Sequence, residues 1–160
     1  MKKVVFLLLL SLLGVEGSLA LNPDAVRENN AGIESFKEEK YYEAYQKFAQ
    51  SFSQEPYDPY IQINLGLTFQ RNEESEKAYK AFLAAEELGR GMGDQASQFY
   101  AHVNAGTSMA ESGNIERALG HYQKALELQP DDQLVKENIE KLWQAQQGGG
   151  KGGNQEDQKK

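Results

Sequence analysis

Two histidines, His102 and His121, and three acidic pairs, Glu73–Glu74, Glu86–Glu87 and Asp131–Asp132, are the side chains best able to move a proton or hold a cation. Imidazole titrates nearest neutrality, so a His with a carboxylate or nucleophile beside it is the usual general base. Neither His has a nucleophile pattern or a second metal ligand near it in sequence, and both read as surface or packing side chains. The acidic pairs lack the ligand spacing of a calcium loop; solvated helix ends account for them. Gly89-x-Gly91-x-Gly93 invites a phosphate reading. It follows a predicted helix, Ala81–Leu88, where such a loop needs a strand, and no Gly-Lys-Ser/Thr comes after it. It reads as a helix C-cap and a flexible loop. With no Cys there is no disulfide, thiolate metal site or Cys nucleophile, and two His cannot form a three-His zinc site. The sequence therefore predicts a non-enzyme with no cofactor, no metal and no small-molecule substrate.

Charge narrows the partners. Among 160 residues, 24 Asp and Glu oppose 17 Lys and Arg, for a net charge of -7. An acidic chain is a poor binder of nucleic acid. The ends dilute this acidity. Met1-Lys2-Lys3, the apolar run Val4–Leu13 and the small residues Ser18 and Ala20 read as a secretory signal peptide over 1–20. The run is short for a membrane span, which needs about 20 apolar residues. Periplasmic export is expected, with an N-terminal membrane anchor as the alternative. Residues 148–160, GGGKGGNQEDQKK, offer no large apolar side chain and read as a flexible polar tail. Between these ends, 21–147 carries 12 basic and 21 acidic groups, net -9.

The elements between the ends repeat. Units over 25–58, 59–92 and 99–132 align at a period of 34, the second prolonged by a loop insertion to 98. The eighth position of each unit is Gly32, Gly66 and Gly106; the twentieth is Ala44, Ala78 and Ala118; the twenty-fourth is Phe48, Phe82 and Tyr122. Apolar spacing predicts two helices per unit, broken at Gly113-Asn114 and ended at Pro130 in the third. The small residues mark a close approach of the paired helices, and the aromatic fills the space beside them. One such hairpin cannot bury its own apolar face, so the units must stack. Asp131 or Asp132 can cap a further helix over 133–147, with Leu134, Val135, Ile139, Leu142 and Trp143 on one side.

This pattern, best in Val103-Asn104-Ala105-Gly106 through Ala118-Leu119-Gly120-His121-Tyr122 to Pro130, resembles the tetratricopeptide repeat (TPR) family over about 25–132. The aromatic that the family carries at the fourth position is replaced by Glu28, Gln62 and His102. The resemblance implies an all-α TPR superhelix of three helix-turn-helix repeats plus a C-terminal capping helix, seven helices in all. It also implies a concave peptide-binding groove lined by the first helix of each unit: Val26, Asn29, Asn30, Ile33 and Phe36, then Tyr60, Ile63, Asn64 and Leu67, then Tyr100, Val103, Asn104 and Thr107. The family's carboxylate clamp of Lys and Arg is missing, with Asn29, Tyr100 and Asn104 in its place; Asn64 alone fits. An apolar groove taking a hydrophobic or helical partner segment is expected, the alternative being that several of these residues pack against one another or against a second copy.

Tyr45 and Phe48 are expected in the core; Tyr42 and Tyr57 read either as exposed anchors or as filling the interface to unit two. Architecture and the Gln- and Gly-rich tail resemble the Bat (aerotolerance operon) proteins. That implies a periplasmic scaffold or adaptor whose protein partners are membrane-attached envelope proteins. The alternatives are a homo-oligomer or an envelope or pilus assembly factor.

Overall fold

The computed structural model describes residues 22–149; the expected signal peptide at 1–20 and the tail beyond 149 lie outside them. The described residues form seven α-helices and no strand: α1 (Pro23–Lys37), α2 (Tyr41–Gln54), α3 (Pro59–Arg71), α4 (Ser75–Met92), α5 (Gln95–Glu111), α6 (Ile115–Leu128) and α7 (Gln133–Gly149). Helices α1–α2, α3–α4 and α5–α6 pack as hairpins; α2 and α4 link each hairpin to the next, and α7 closes on α6.

The repeat's small and aromatic positions explain the hairpins. A Cβ on Gly32 would sit 2.6 Å from the Phe48 ring, and one on Gly106 2.7 Å from the Tyr122 ring. Gly66 meets Phe82 in the same way. Ala44, Ala78 and Ala118 are fully buried alongside. Each aromatic contributes roughly 1.5–3 kcal/mol by leaving water, and it can do so only where the facing helix presents no side chain. Two core clusters result. One joins units one and two, the other joins unit three and α7, and Tyr79 and Tyr100 pack against both.

Each hairpin turn needs one residue in the left-handed region. Gly113 (φ 77°) supplies it in the third unit, whereas Glu39 (φ 61°) and Glu73 (φ 60°) are held there in the first two. Side chains in that region cost roughly 1–2 kcal/mol. The turn is kept by backbone bonds that close the preceding helix, from Lys40 N–H to Ser35 O at 2.9 Å and from Glu74 N–H to Phe69 O at 2.9 Å. Glu73–Glu74 is therefore a helix boundary, and Glu74 pairs with Lys77.

The insertion differs from the expected loop. Helix α4 runs through Gly89 and Gly91 to Met92, and α5 begins at Gln95, so the six extra residues lengthen both helices. Only Gly93 (φ 71°) and Asp94 connect them. Gly89 is needed because a Cβ there would collide with the Ser97 hydroxyl across the prolonged hairpin. Asp94 caps α5, accepting from Ala96 N–H at 3.0 Å and Ser97 N–H at 3.2 Å. At the other end Asp132 caps α7, accepting from Val135 N–H at 2.8 Å. Helix α7 continues two residues past the expected 147. Val135 and Leu142 are buried, but Trp143, expected on the packed side, is 53% exposed. Among the described residues no helix is long and apolar enough to cross a membrane.

Candidate functional site

The expected groove residues fall into two groups. Asn29, Ile33, Phe36, Ile63, Asn64, Leu67, Val103, Asn104 and Thr107 are buried. Ile33, Phe36, Ile63 and Leu67 belong to the first core cluster and Val103 to the second. Helix α3 touches both α1 and α5, so the fifth and ninth positions are spent on packing rather than left as an open apolar lining. The second group keeps accessible surface: Val26, Tyr60 and Tyr100 are half-buried and Asn30 is exposed. Val26, Tyr60 and Tyr100 occupy the second position of their units, on α1, α3 and α5; Tyr100 lies in the second turn because the insertion lengthens α5.

The Asn residues do not act as the expected sixth-position set. In unit one the buried amide is Asn29, at the fifth position. Asn64 Nδ2 donates to Asn29 Oδ1 at 2.9 Å, tying α1 to α3. Asn104 Nδ2 donates to Tyr100 O at 2.9 Å within α5. Asn29 Nδ2, Asn64 Oδ1 and Asn104 Oδ1 are buried and make no hydrogen bond. A buried amide atom without a partner costs roughly 1–3 kcal/mol, and all three lie inside the packed array.

Tyr60 is fixed by its surroundings. Burial pushes its hydroxyl well above the usual phenol range, reinforced by a hydrogen bond to Asp94 and by the nearby charge of Asp58. Burial alone would raise Asp94, but hydrogen bonds from Tyr60 and Ser97 outweigh it and hold the carboxyl below its usual value. Asp58 caps α3 by accepting from Tyr60 N–H at 2.8 Å. Tyr100 packs edge-on against Phe99, ring centres 5.4 Å apart. Tyr60 thus stands at a capped helix start, and Tyr100 one turn further into the capped α5.

The exposed aromatics divide differently from expectation. Tyr42 and Tyr57 are each 71% exposed. Tyr45, expected in the core, is exposed and stacks at 5.6 Å on Phe69 of α3. Its position points to the seam between hairpins, where the aromatic covers a neighbour without being enclosed.

The two histidines, 19 residues apart in sequence, meet. His102 and His121 are both buried, and their Nδ1 atoms are 3.3 Å apart. His121 Nε2 lies 3.1 Å from the Tyr79 hydroxyl of α4. Burial lowers both imidazoles to about 4, with Lys124 adding to the effect on each. Sequence reading missed this pairing, yet a signal was present. The same two repeat positions hold Glu28 and Lys47 in unit one, opposite charges that bond at 2.8 Å. No group of three or more metal-binding side chains occurs among the described residues.

Three stacked helical hairpins with small residues facing an aromatic define a helical-repeat protein. Residues 99–132 match the tetratricopeptide repeat family, and the solved structures that resemble the whole array are TPR domains. The first TPR domain of human RPAP3 is 23% identical with a TM-score of 0.71, covering 78% of this chain and 94% of that one. The first TPR of Spaghetti (RPAP3), bound to the HSP90 peptide SRMEEVD, is 23% identical with a TM-score of 0.70 over the same shares, 78% and 94%. The Sgt2 TPR domain of Aspergillus fumigatus is 16% identical with a TM-score of 0.75, covering 89% of this chain and 92% of that one. No curated protein sequence matches. The match to the tetratricopeptide repeat covers the third unit, and the described residues share the fold of TPR domains, a three-repeat array with a capping helix.

Proposed function

We propose that the protein is a non-enzymatic adaptor that binds a segment of a protein partner along the first helices of the three repeats. The observation that carries this reading is the row of half-buried second-position side chains, Val26, Tyr60 and Tyr100, on an array resembling one solved with a bound peptide. Tyrosines held on rigid backbone make good anchors because they cover apolar area at little entropic cost. The absence of Lys and Arg at the clamp positions argues for an apolar or helical segment over an acidic C-terminus. The basic start and apolar run of residues 1–20 support work in the periplasm, and the polar tail supports a membrane-attached envelope partner in an aerotolerance-type complex.

The experiment is capture of partners from native envelope by wild-type protein and by a Tyr60→Ala/Tyr100→Ala variant. The variant is expected to keep its helical circular dichroism and to lose bound partners by at least tenfold. Retained capture by the folded variant would place the interface elsewhere. Ile63→Glu is unsuited to this purpose, because it would put an unpaired charge into a fully buried site.

A further inference from the structure

The fourth and twenty-third positions of a unit face each other across its hairpin. In unit one they hold a Glu28–Lys47 ion pair; in unit two they are Gln62 and Ala81; in unit three they are His102 and His121, enclosed between α4, α5 and α6. Nothing in the partner-binding reading uses the third pair.

The pair's geometry sets its proton count. At 3.3 Å the two Nδ1 atoms share one hydrogen: one donates and the other must be bare to accept. One added proton keeps the contact if it sits on the donor ring's Nε2. When that ring is His121, the new N–H points at the Tyr79 oxygen. A second proton places an N–H on both Nδ1 atoms. Two hydrogens then meet head-on between two buried cations, and the contact must open. The other groups facing the pair are Tyr79 and Glu86 from α4 and Arg117 and Lys124 from α6. Glu86 favours the charged rings, while Lys124 and Arg117 oppose them.

We propose that the His102–His121–Tyr79 contact is an acid-sensitive latch: neutral, it ties α4, α5 and α6 together, and double protonation releases the third unit from its packed state. Tyr79 belongs to unit two, so the latch spans the junction between repeats. Both imidazoles are lowered in the folded chain relative to the ordinary value of 6.5. The unfolded chain therefore binds protons first. The latch's contribution is complete above pH 6.5 and is lost as pH falls from there towards 4.

The test compares the wild-type protein with a His102→Gln/His121→Ala variant, which installs the residues that unit two carries at these positions. Urea unfolding is followed from pH 7.5 to 4.5, and the two imidazole C–H signals of the folded wild type are titrated by NMR. Between pH 6 and 4.5 the wild-type folding constant is expected to fall up to about a hundredfold per pH unit more than that of the variant, because two extra protons bind on unfolding. Both rings should titrate well below 6.5. Parallel pH profiles, or rings that titrate at their ordinary value in the folded state, overturn the proposal. If the double variant fails to fold, the ring titration of the wild type decides alone.

Discussion

In the first unit Glu28 and Lys47 meet at the rim of the hairpin; in the third, His102 and His121 meet inside it. Glu28 and Lys47 are both half-buried, whereas the two histidines are buried. The backbone is the same helix-turn-helix, and what differs is water. At the rim the hydrogen bonds from Lys47 and Arg27 hold the Glu28 carboxyl below its usual 4.5, so that pair persists until pH falls through the lowered value. Inside, burial dominates, and the imidazoles stay neutral into acid where free ones would charge. One repeat position thus serves a solvated ion pair in one copy and a neutral, desolvated pair in another.

Exchanging residues between the two units breaks or sharpens this contrast. The largest effect is expected from His102→Glu with His121→Lys, which moves the rim pair into the interior. Desolvating two full charges should cost about 2 kcal/mol or more at pH 7, read as a lowered urea midpoint. An unchanged midpoint would mean that water already reaches the site. A smaller loss, about 1 kcal/mol, is expected from Tyr122→Phe, which gives unit three the aromatic that unit one carries at Phe48. It removes the 3.0 Å bond between Tyr122 and Thr107, while Thr107 keeps its bond to Val103 O. The smallest change runs the other way. Glu39→Gly copies Gly113 into the first turn and should stabilise by about 0.5–1 kcal/mol, read in thermal melts. A destabilised variant would show that the Glu39 side chain earns its left-handed position by contacts beyond the backbone.

The fold was legible because the hairpin's tightest constraint repeats. Gly32, Gly66 and Gly106 recur at one position of the repeat, each opposite an aromatic. The helix count followed from the same register; of the two capping candidates, Asp131 and Asp132, the second takes the role. The candidate site was legible only in part. Ile63, Leu67 and Val103 were expected to face a partner, but adjacent helices of the array use those positions against each other. Apolar spacing gives a helix face and says nothing of which neighbour covers it. Tyr60 and Tyr100 keep accessible surface, although both also pack against the core. Glu39 and Glu73 gave no sign of their turn geometry, since Glu is an ordinary helix residue and only backbone bonding holds it there.

The lengthened hairpin of α4 and α5 also bears on how the chain resists enzymatic attack. A stretch reading Leu88-Gly89-Arg90-Gly91-Met92-Gly93 has the composition of a scissile linker, with Arg90 exposed in its middle. Proteases cut backbone that can be drawn out into an extended strand, and here the peptide units around Arg90 are wound into the last turns of α4. Cleavage at Arg90 requires those turns to unwind and Gly89 to leave its contact with Ser97. The segment that composition marks as the weakest point of the array is instead held shut by the helix that runs through it.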